Sequence, residues 1–157
     1  LLLVLSDSLA YARNIYLGMS GAFTGPSRSL GIELYRGSRA YFDFINDHGG
    51  INGHKIYIRV YDDGYNPGPA LENTIKLVEK DKVLLLFNYV GTPTTVRVLP
   101  LLQKYASEHI YLFCPFTGVS TVRRPPYNEL VFNLRASYYL ETEALVDNFV
   151  KQGYKKI

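Results

Sequence analysis

Apolar and polar positions along the chain fall into two kinds of segment that alternate. Short runs that are apolar throughout, or apolar at every second position, are typical of β-strands, and longer segments with apolar residues at helical spacing follow them. The strands are predicted at residues 15–19, 55–62, 83–87 and 110–114, with a short extended piece at 131–134. This order predicts an α/β fold, a Rossmann-like doubly wound parallel sheet.

Four helices are predicted between and after these strands. In the first, Leu34, Phe44 and Ile45 recur at helical spacing, and the glycines that follow residue 48 end it. Asn66 is placed to cap the second helix, which begins with a proline-rich turn. Pro100 lies inside the third helix and is expected to weaken or kink its first turns. The predicted helices cover residues 32–48, 67–80, 94–108 and 138–152.

The run at residues 83–87 has no polar alternation, which is typical of a central parallel strand that is covered on both faces. In such sheets, ligands bind beyond the carboxyl ends of the strands. The loops that follow Met19, Asp62, Phe87 and Cys114 are therefore the places where binding residues are expected.

Composition narrows the function classes. The 157 residues are enough for one domain with a core, and 47% hydrophobic with 20% charged residues is ordinary for a globular protein. The net charge of +3 comes from scattered basic residues, which argues against nucleic acid as a partner. The 14 tyrosines suit a binding surface, whereas the lone Cys114, at the end of an apolar run, is predicted to be a buried inert thiol. No histidine has metal-ligand spacing, and no cofactor is expected.

The first twelve residues have the character of a secretion signal. Leu1 to Leu5 are apolar, and Ala10 to Ala12 have the A-x-A form of a signal-peptidase site. The other interpretation is an ordinary first strand. We favour the interpretation that residues 1–12 are the remnant of a signal peptide. It predicts a periplasmic or otherwise extracytoplasmic protein, and it predicts that this segment makes no contact with the core.

The stretch FNYVGTPTT, residues 87–95, is the first candidate site. Thr92 is predicted to cap the third helix, with Pro93 at its first position. The amides of Thr94 and Thr95 would then point out of the helix, where free amides and the helix dipole attract anions. With Gly91 and two hydroxyls but no lysine, the loop suits a small carboxylate better than a phosphate. The other interpretation is that Thr92 only caps the helix.

A second loop of the same kind strengthens the binding interpretation. CPFTG, residues 114–118, follows the next strand and brings Thr117 and Gly118 to the same edge. Tyr89 and Phe116 are expected to form an apolar wall. The acidic pair at residues 62–63 is predicted to serve a turn, and no G-x-G-x-x-G motif supports dinucleotide binding.

The chain resembles the type I periplasmic binding proteins of the leucine/isoleucine/valine-binding class. The resemblance is carried by GMSGAFTGPSRSLGIELYRGSRAYFDFIND, GGINGHKIYIRVYDDGYNP, VEKDKVLLLFNYVGTPTT and LFCPFTG, and it runs from about residue 15 to residue 157. It implies two Rossmann-like lobes that close on a ligand, with 13–135 as the N-terminal lobe and 136–157 as the truncated start of the second. It also implies that the ligand's carboxylate and amino group lie near Thr92 and residues 116–118, with an apolar wall near Leu30.

Two residues depart from the pattern of the branched-chain amino acid binders. Gly91 stands where those members have a ligand-contacting serine, and Phe116 stands where they have a small residue, so the identity of the ligand stays open. The function implied by the resemblance is non-enzymatic capture of an amino acid or similar small polar ligand for the permease of an ABC-type transporter. The same lobe could instead serve as the sensing domain of a membrane signalling receptor fused to a signalling domain, and a Rossmann-like enzyme is the alternative from another class.

Overall fold

The computed structural model describes residues 14–156, and the predicted signal remnant at residues 1–12 lies outside them. Its centre is a sheet of five parallel strands in the order β2-β1-β3-β4-β5, so the predicted parallel α/β fold is confirmed. The strands are β1 (Ile15–Gly21), β2 (Ile56–Asp62), β3 (Leu85–Phe87), β4 (Leu112–Phe113) and β5 (Val131–Phe132). β1 extends two residues beyond its predicted end, whereas β3, β4 and β5 are shorter than predicted.

Within the described part of the chain, four α-helices accompany the strands: α1 (Arg28–Asp47), α2 (Pro67–Ile75), α3 (Thr92–Lys104) and α4 (Tyr138–Lys151). A π-helical turn, Lys76–Lys80, continues α2, and 3-10 turns lie at Ala106–Glu108 and Ser120–Arg123. The predicted cap of α2 is confirmed, because the side chain of Asn66 accepts a hydrogen bond from the amide of Gly68 over 3.0 Å. α3 runs through Pro100 without ending. Proline has no backbone N–H, so the carbonyl four residues before Pro100 has no helical donor. Pro100 is exposed, so water can hydrogen-bond to that carbonyl instead.

The two faces of the sheet are covered by different helices. Leu86 has no exposed surface and lies in a cluster with Leu77, which follows α2, and with Val98 of α3. The next residue, Phe87, points to the opposite face because side chains alternate along a strand, and its ring meets Phe42 of α1 at 5.6 Å. Helices on both faces make the sheet doubly wound, as predicted.

At the outer edge of the sheet, one side chain pairs with the first residue of β2. The amide of Asn46, near the end of α1, donates to the carbonyl of Ile56, and its oxygen accepts from the amide of Ile56, both over 2.8 Å. An edge strand otherwise presents unpaired backbone groups on which other chains can pair. Among the described residues, no helix is long and apolar enough to cross a membrane.

Candidate ligand-binding site

The loops predicted to bind a ligand meet where β3 and β4 end. Directly after each strand, one residue takes a left-handed backbone conformation: Asn88 has φ 53° and Cys114 has φ 54°. The chain then becomes extended again, and Val90 pairs in parallel with Phe116. The amide of Phe116 donates to the carbonyl of Tyr89 over 2.7 Å. This short bridge holds the two loops side by side.

The bridge brings together three hydroxyl groups. The Oγ1 atoms of Thr92 and Thr117 lie 2.8 Å apart, and the hydroxyl of Tyr138 lies 3.0 Å from Thr92. Tyr138 and Thr117 are 3.5 Å apart, and the amide of Val119 donates to Thr117 over 3.2 Å. Thr117 has no exposed surface, whereas Tyr138 is 41% exposed. The sequence predicted the threonine pair on one edge, and the structure places the two residues in direct contact there.

The start of α3 differs from the prediction in detail. The helix begins at Thr92, and its cap is Gly91, with φ 102° and ψ 147°, so Thr92 does not cap the helix. The amide of Thr95, predicted to be free, donates to the carbonyl of Gly91 over 3.1 Å. The amides of Thr92 and Thr94 still lie in the first turn of the helix, where backbone amides have no acceptor within the helix. The hydroxyl of Thr92 is consequently directed at Thr117 and Tyr138.

Two tyrosine rings lie directly on the two glycines of the site. A Cβ atom at Gly91 would be 2.5 Å from Cε2 of Tyr65, and one at Gly118 would be 2.6 Å from Cδ1 of Tyr138. Both positions therefore require glycine, because a close approach to a ring leaves no room for a side chain. Neither tyrosine was predicted from the sequence as a site residue.

A buried carboxyl group helps to hold Tyr65 in place. Tyr65 has a left-handed φ of 65°, and its amide donates to Asp63 over 2.8 Å. Asp63 also accepts from the hydroxyl of Ser20 over 2.7 Å. Burial raises the pKa of Asp63, although the hydrogen bonds from Ser20 and Tyr65 oppose that rise. The predicted role of residues 62–63 as turn acids is confirmed in this geometry.

An arginine holds the opposite side of the site. The guanidinium of Arg135 lies 4.9 Å from the ring centre of Phe116 and 5.2 Å from that of Tyr138. It donates two hydrogen bonds of 2.7 and 2.8 Å to Glu141, and this ion pair compensates its charge. The carbonyl of Arg135 accepts from Arg123 over 2.6 Å. The segment between β5 and α4 is thereby fixed against the loop of Phe116.

Tyr89 does not lie where the sequence predicted. Its side chain is fully buried, and its hydroxyl lies 3.0 Å from that of Thr74 in α2, so it is part of the core and not an exposed apolar wall. The reason is the left-handed Asn88, which breaks the alternation of the strand, so that Leu86 and Tyr89 face the same helix layer. Phe116 is half-buried beside Arg135, and Leu30 is 39% exposed in the first turn of α1.

The described residues give little support for a metal site, a reactive thiol or a ligand pocket elsewhere on the sheet. Within residues 14–156, no group of three or more histidine, cysteine, aspartate or glutamate side chains is arranged to hold a metal ion. Burial raises the pKa of Cys114, which is the opposite of what a reactive thiol needs. A pocket of about 180 Å³ lies between α1 and the first residues of β2, away from the carboxyl ends of the strands where sheet ligands bind.

Comparison with known proteins identifies the family of the chain. The family model described as periplasmic binding protein matches residues 14–157. The chain belongs to the periplasmic binding protein family. Among curated members, the amino acid binding protein of Pseudomonas aeruginosa is 31% identical over 102 residues, which are 65% of this chain and 26% of that protein. The Leu/Ile/Val-binding protein of Citrobacter freundii is 26% identical over 122 residues, which are 78% of this chain and 32% of that protein.

Solved structures of the family share the fold. A possible leucine/isoleucine/valine-binding protein from Rhodopirellula baltica matches with a TM-score of 0.83 and 35% identity, over 92% of this chain and 37% of that one. A substrate-binding periplasmic protein from Ralstonia solanacearum matches with a TM-score of 0.80 and 29% identity, over 89% and 38% of the two chains. The fold is thus a lobe of a type I periplasmic binding protein, and the chain spans about a third of the length of these relatives. The family whose model matches is one of substrate-binding proteins.

Proposed function

We propose that the chain is the N-terminal lobe, with the start of the second lobe, of an extracytoplasmic solute-binding protein that delivers its ligand to an ABC-type transporter. Residues 13–135 form the first lobe in this proposal, and residues 136–157 begin the second. The ligand is an amino acid or a similar small polar molecule that is captured between the lobes. The permease of the transporter is the membrane partner, and residues 1–12 are the remnant of a secretion signal.

The observation that carries the proposal is the hydroxyl pair of Thr92 and Thr117 at the first turn of α3. The pair lies at the carboxyl edge of a parallel sheet, where ligands of such folds bind. The helix N-terminus adds a positive partial charge and amides without helical acceptors. A carboxylate can accept hydrogen bonds from these amides and from the one hydroxyl hydrogen that the contact between Thr92 and Thr117 leaves over, which favours a small ligand with a carboxylate group.

The named relatives support the same ligand class. Two of them are an amino acid binding protein and a Leu/Ile/Val-binding protein, which match 102 and 122 residues of this chain. Gly91 and Phe116, which differ from the residues expected in branched-chain amino acid binders, form the surface beside that pair. We therefore include aromatic and polar amino acids, besides the branched-chain ones, among the ligands to be tested.

The test is calorimetric titration of the two-lobed protein with the common L-amino acids, followed by the same titration of Thr92→Ala. Thr92→Ala removes the hydroxyl through which the threonine pair donates towards the charged carboxylate. Loss of a hydrogen bond of this kind should weaken binding by about 1.5–3 kcal/mol, which is a roughly 10-fold to 150-fold rise in Kd. The matched control is Thr121→Ala, which removes an exposed threonine hydroxyl from the 3-10 turn after the second loop. The control should bind like the wild type. Equal affinity of Thr92→Ala and wild type would contradict the anchor role of Thr92.

A further inference from the structure

The three hydroxyl groups of Thr92, Thr117 and Tyr138 are here called the hydroxyl cluster. They have more hydrogens than the hydrogen bonds among them can use. Two oxygen pairs, at 2.8 and 3.0 Å, have the length of a good hydrogen bond. The third pair, at 3.5 Å, is beyond the usual range of about 2.5–3.0 Å for hydroxyl donors. Three hydrogens therefore meet two good contacts, and one hydrogen of the cluster is left to donate elsewhere.

Where that hydrogen lies follows from burial. If it were on Thr117, a donor with no exposed surface would be left unsatisfied, which is an expensive arrangement. Thr117 already accepts from the amide of Val119, so its own hydrogen is best donated to Thr92. The remaining hydrogen then lies on Thr92 or on Tyr138, and both of these hydroxyls reach the surface of the site.

An anion at the surface of the site determines whether Thr92 or Tyr138 donates the remaining hydrogen outward. A phenol, with an ordinary pKa of about 10, is a much stronger acid than an aliphatic hydroxyl and makes the stronger bond to a carboxylate. With an anion present, Thr117 donates to Thr92, Thr92 donates to Tyr138, and Tyr138 donates outward. We propose that Tyr138 is a ligand-contacting residue whose phenol donates a hydrogen bond to the carboxylate of the bound ligand. This proposal rests on the function proposed above and adds a recognition residue to the same site.

The ring of Tyr138 is held in a position that suits this role. Its amide donates to the carbonyl of Gly118 over 2.8 Å, and its ring covers Gly118, where a side chain would collide. The guanidinium of Arg135 lies against the same ring at 5.2 Å. The adjacent hydroxyls of Thr117 and Thr92, together with the nearby Arg135, hold the pKa of Tyr138 below its ordinary value although partial burial opposes them. That direction agrees with a phenol oxygen that accepts a hydrogen bond from Thr92, the nearer of the two.

The position of Tyr138 in the chain gives the contact a further consequence. Tyr138 is the first residue of α4, which follows β5, whereas Thr92 begins the helix after β3 and Thr117 lies in the loop after β4. The residue that contacts the carboxylate and the two threonines that orient it therefore come from separate segments of the chain.

The test compares wild type, Tyr138→Phe and Tyr139→Phe in the two-lobed protein. Tyr138→Phe keeps the ring on Gly118 and Arg135 and removes only the hydroxyl, and Tyr139→Phe makes the same chemical change at a neighbouring ring that is 74% exposed. Binding of L-leucine, L-valine and L-phenylalanine is measured by calorimetry, together with the tyrosine absorption difference spectrum on adding each ligand. Tyr138→Phe should weaken binding on the order of tenfold or more. It should also abolish a red-shifted tyrosine band that wild type and Tyr139→Phe both show.

Each outcome decides a different point. A merely structural role for Tyr138 would weaken binding without any ligand-induced tyrosine band in the wild type, and this result would overturn the proposal. Equal affinity of Tyr138→Phe and wild type would also overturn it while leaving the solute-binding function intact. If the wild type bound none of the common amino acids, the proposed amino acid binding would fail, and the role of Tyr138 would fail with it.

Discussion

At the scale of single residues, the candidate site depends on two glycines whose missing side chains make room for tyrosine rings. Gly91 lies under Tyr65 with φ 102°, a conformation that side chains other than glycine rarely adopt. Gly118 is surrounded by backbone as well as by a ring. A Cβ atom there would be 2.7 Å from the backbone nitrogen of Tyr138 and 2.6 Å from its ring. A ring can rotate away from a collision, but the backbone of a helix start cannot move without moving α4.

We therefore expect Gly118→Ala to displace Tyr138 and to lower the free energy of unfolding by about 1–3 kcal/mol, the usual effect of overpacking. Gly37→Ala is the matched control, because a Cβ atom at Gly37 meets nothing within 4 Å. In the interior of α1, alanine should raise stability by about 0.5–1 kcal/mol. Urea denaturation followed by circular dichroism measures both. A Gly118→Ala variant as stable as the wild type would contradict the close packing described here.

The same residues show what sequence reasoning could and could not reach. Thr92 and Thr117 were predicted because both follow strands, and the parallel topology brings the ends of neighbouring strands together. Tyr65 and Tyr138 were missed because nothing local marks a ring that lies on a glycine far away in the sequence. Tyr89 was misplaced because the pattern assumes a regular strand, and the left-handed turn at Asn88 changes which face the next side chain meets.

At the scale of elements, one carboxylate joins the loop after β1 to the end of β2. Asp62 accepts hydrogen bonds from the amides of Phe23, Thr24 and Gly64 over 2.8, 3.2 and 2.9 Å, and from the hydroxyl of Thr24 over 2.6 Å. Partial burial raises the pKa of Asp62, but these bonds outweigh it and hold the pKa below the ordinary value. The two loops at this end of the sheet thus depend on an ionised carboxyl group.

This dependence gives the stability of the protein a defined pH response. A carboxyl group whose pKa is lower in the folded state stabilises the fold above its unfolded pKa of about 3.9 and loses that effect as the pH falls through its folded pKa. We expect Asp62→Asn to be less stable than wild type from about pH 5 to 7, with a difference that shrinks as the pH falls below about 3.9 and through the folded pKa of Asp62. Urea unfolding across this range measures the difference. Asp147→Asn, at an exposed position of α4, is the control and should show no comparable change. A difference for Asp62→Asn that persists at the lowest pH would show that it does not come from ionisation.

The elements themselves were largely predictable because their signals are local. Asn66 caps α2 as expected, and the glycines after residue 48 follow the end of α1. The lengths of β3 to β5 were not predictable in the same way. The apolar run begins before β4, at Ile110, but the backbone pairs with both neighbouring strands only at Leu112 and Phe113, and the left-handed turn at Cys114 ends the strand.

At the scale of the whole molecule, α4 and β5 expose apolar side chains that a second body of protein would cover. α4 has no buried residue among those the structure describes, and its Leu145 is 53% exposed. On the sheet, Phe132 of β5 is 48% exposed although its ring stacks on Phe113 at 4.4 Å. Both exposures agree with the proposal that this chain is one lobe of a two-lobed protein, because covering them would bury apolar surface worth about 25 cal/mol per Å².

The strongest consequence of that proposal concerns binding by the lobe alone. Small ligands bind well when a cleft buries most of their surface, and an open lobe leaves one side of the ligand in water, where its hydrogen bonds are weaker. We expect residues 13–157 to bind any amino acid ligand at least about 1,000-fold more weakly than the two-lobed protein, a loss of roughly 4 kcal/mol. Calorimetry of both proteins with the same ligand measures the ratio, and the melting curve of the lobe shows that it is folded. Comparable dissociation constants would mean that Thr92, Thr117 and Tyr138 form a sufficient site and that closure between lobes is not how this protein holds its ligand.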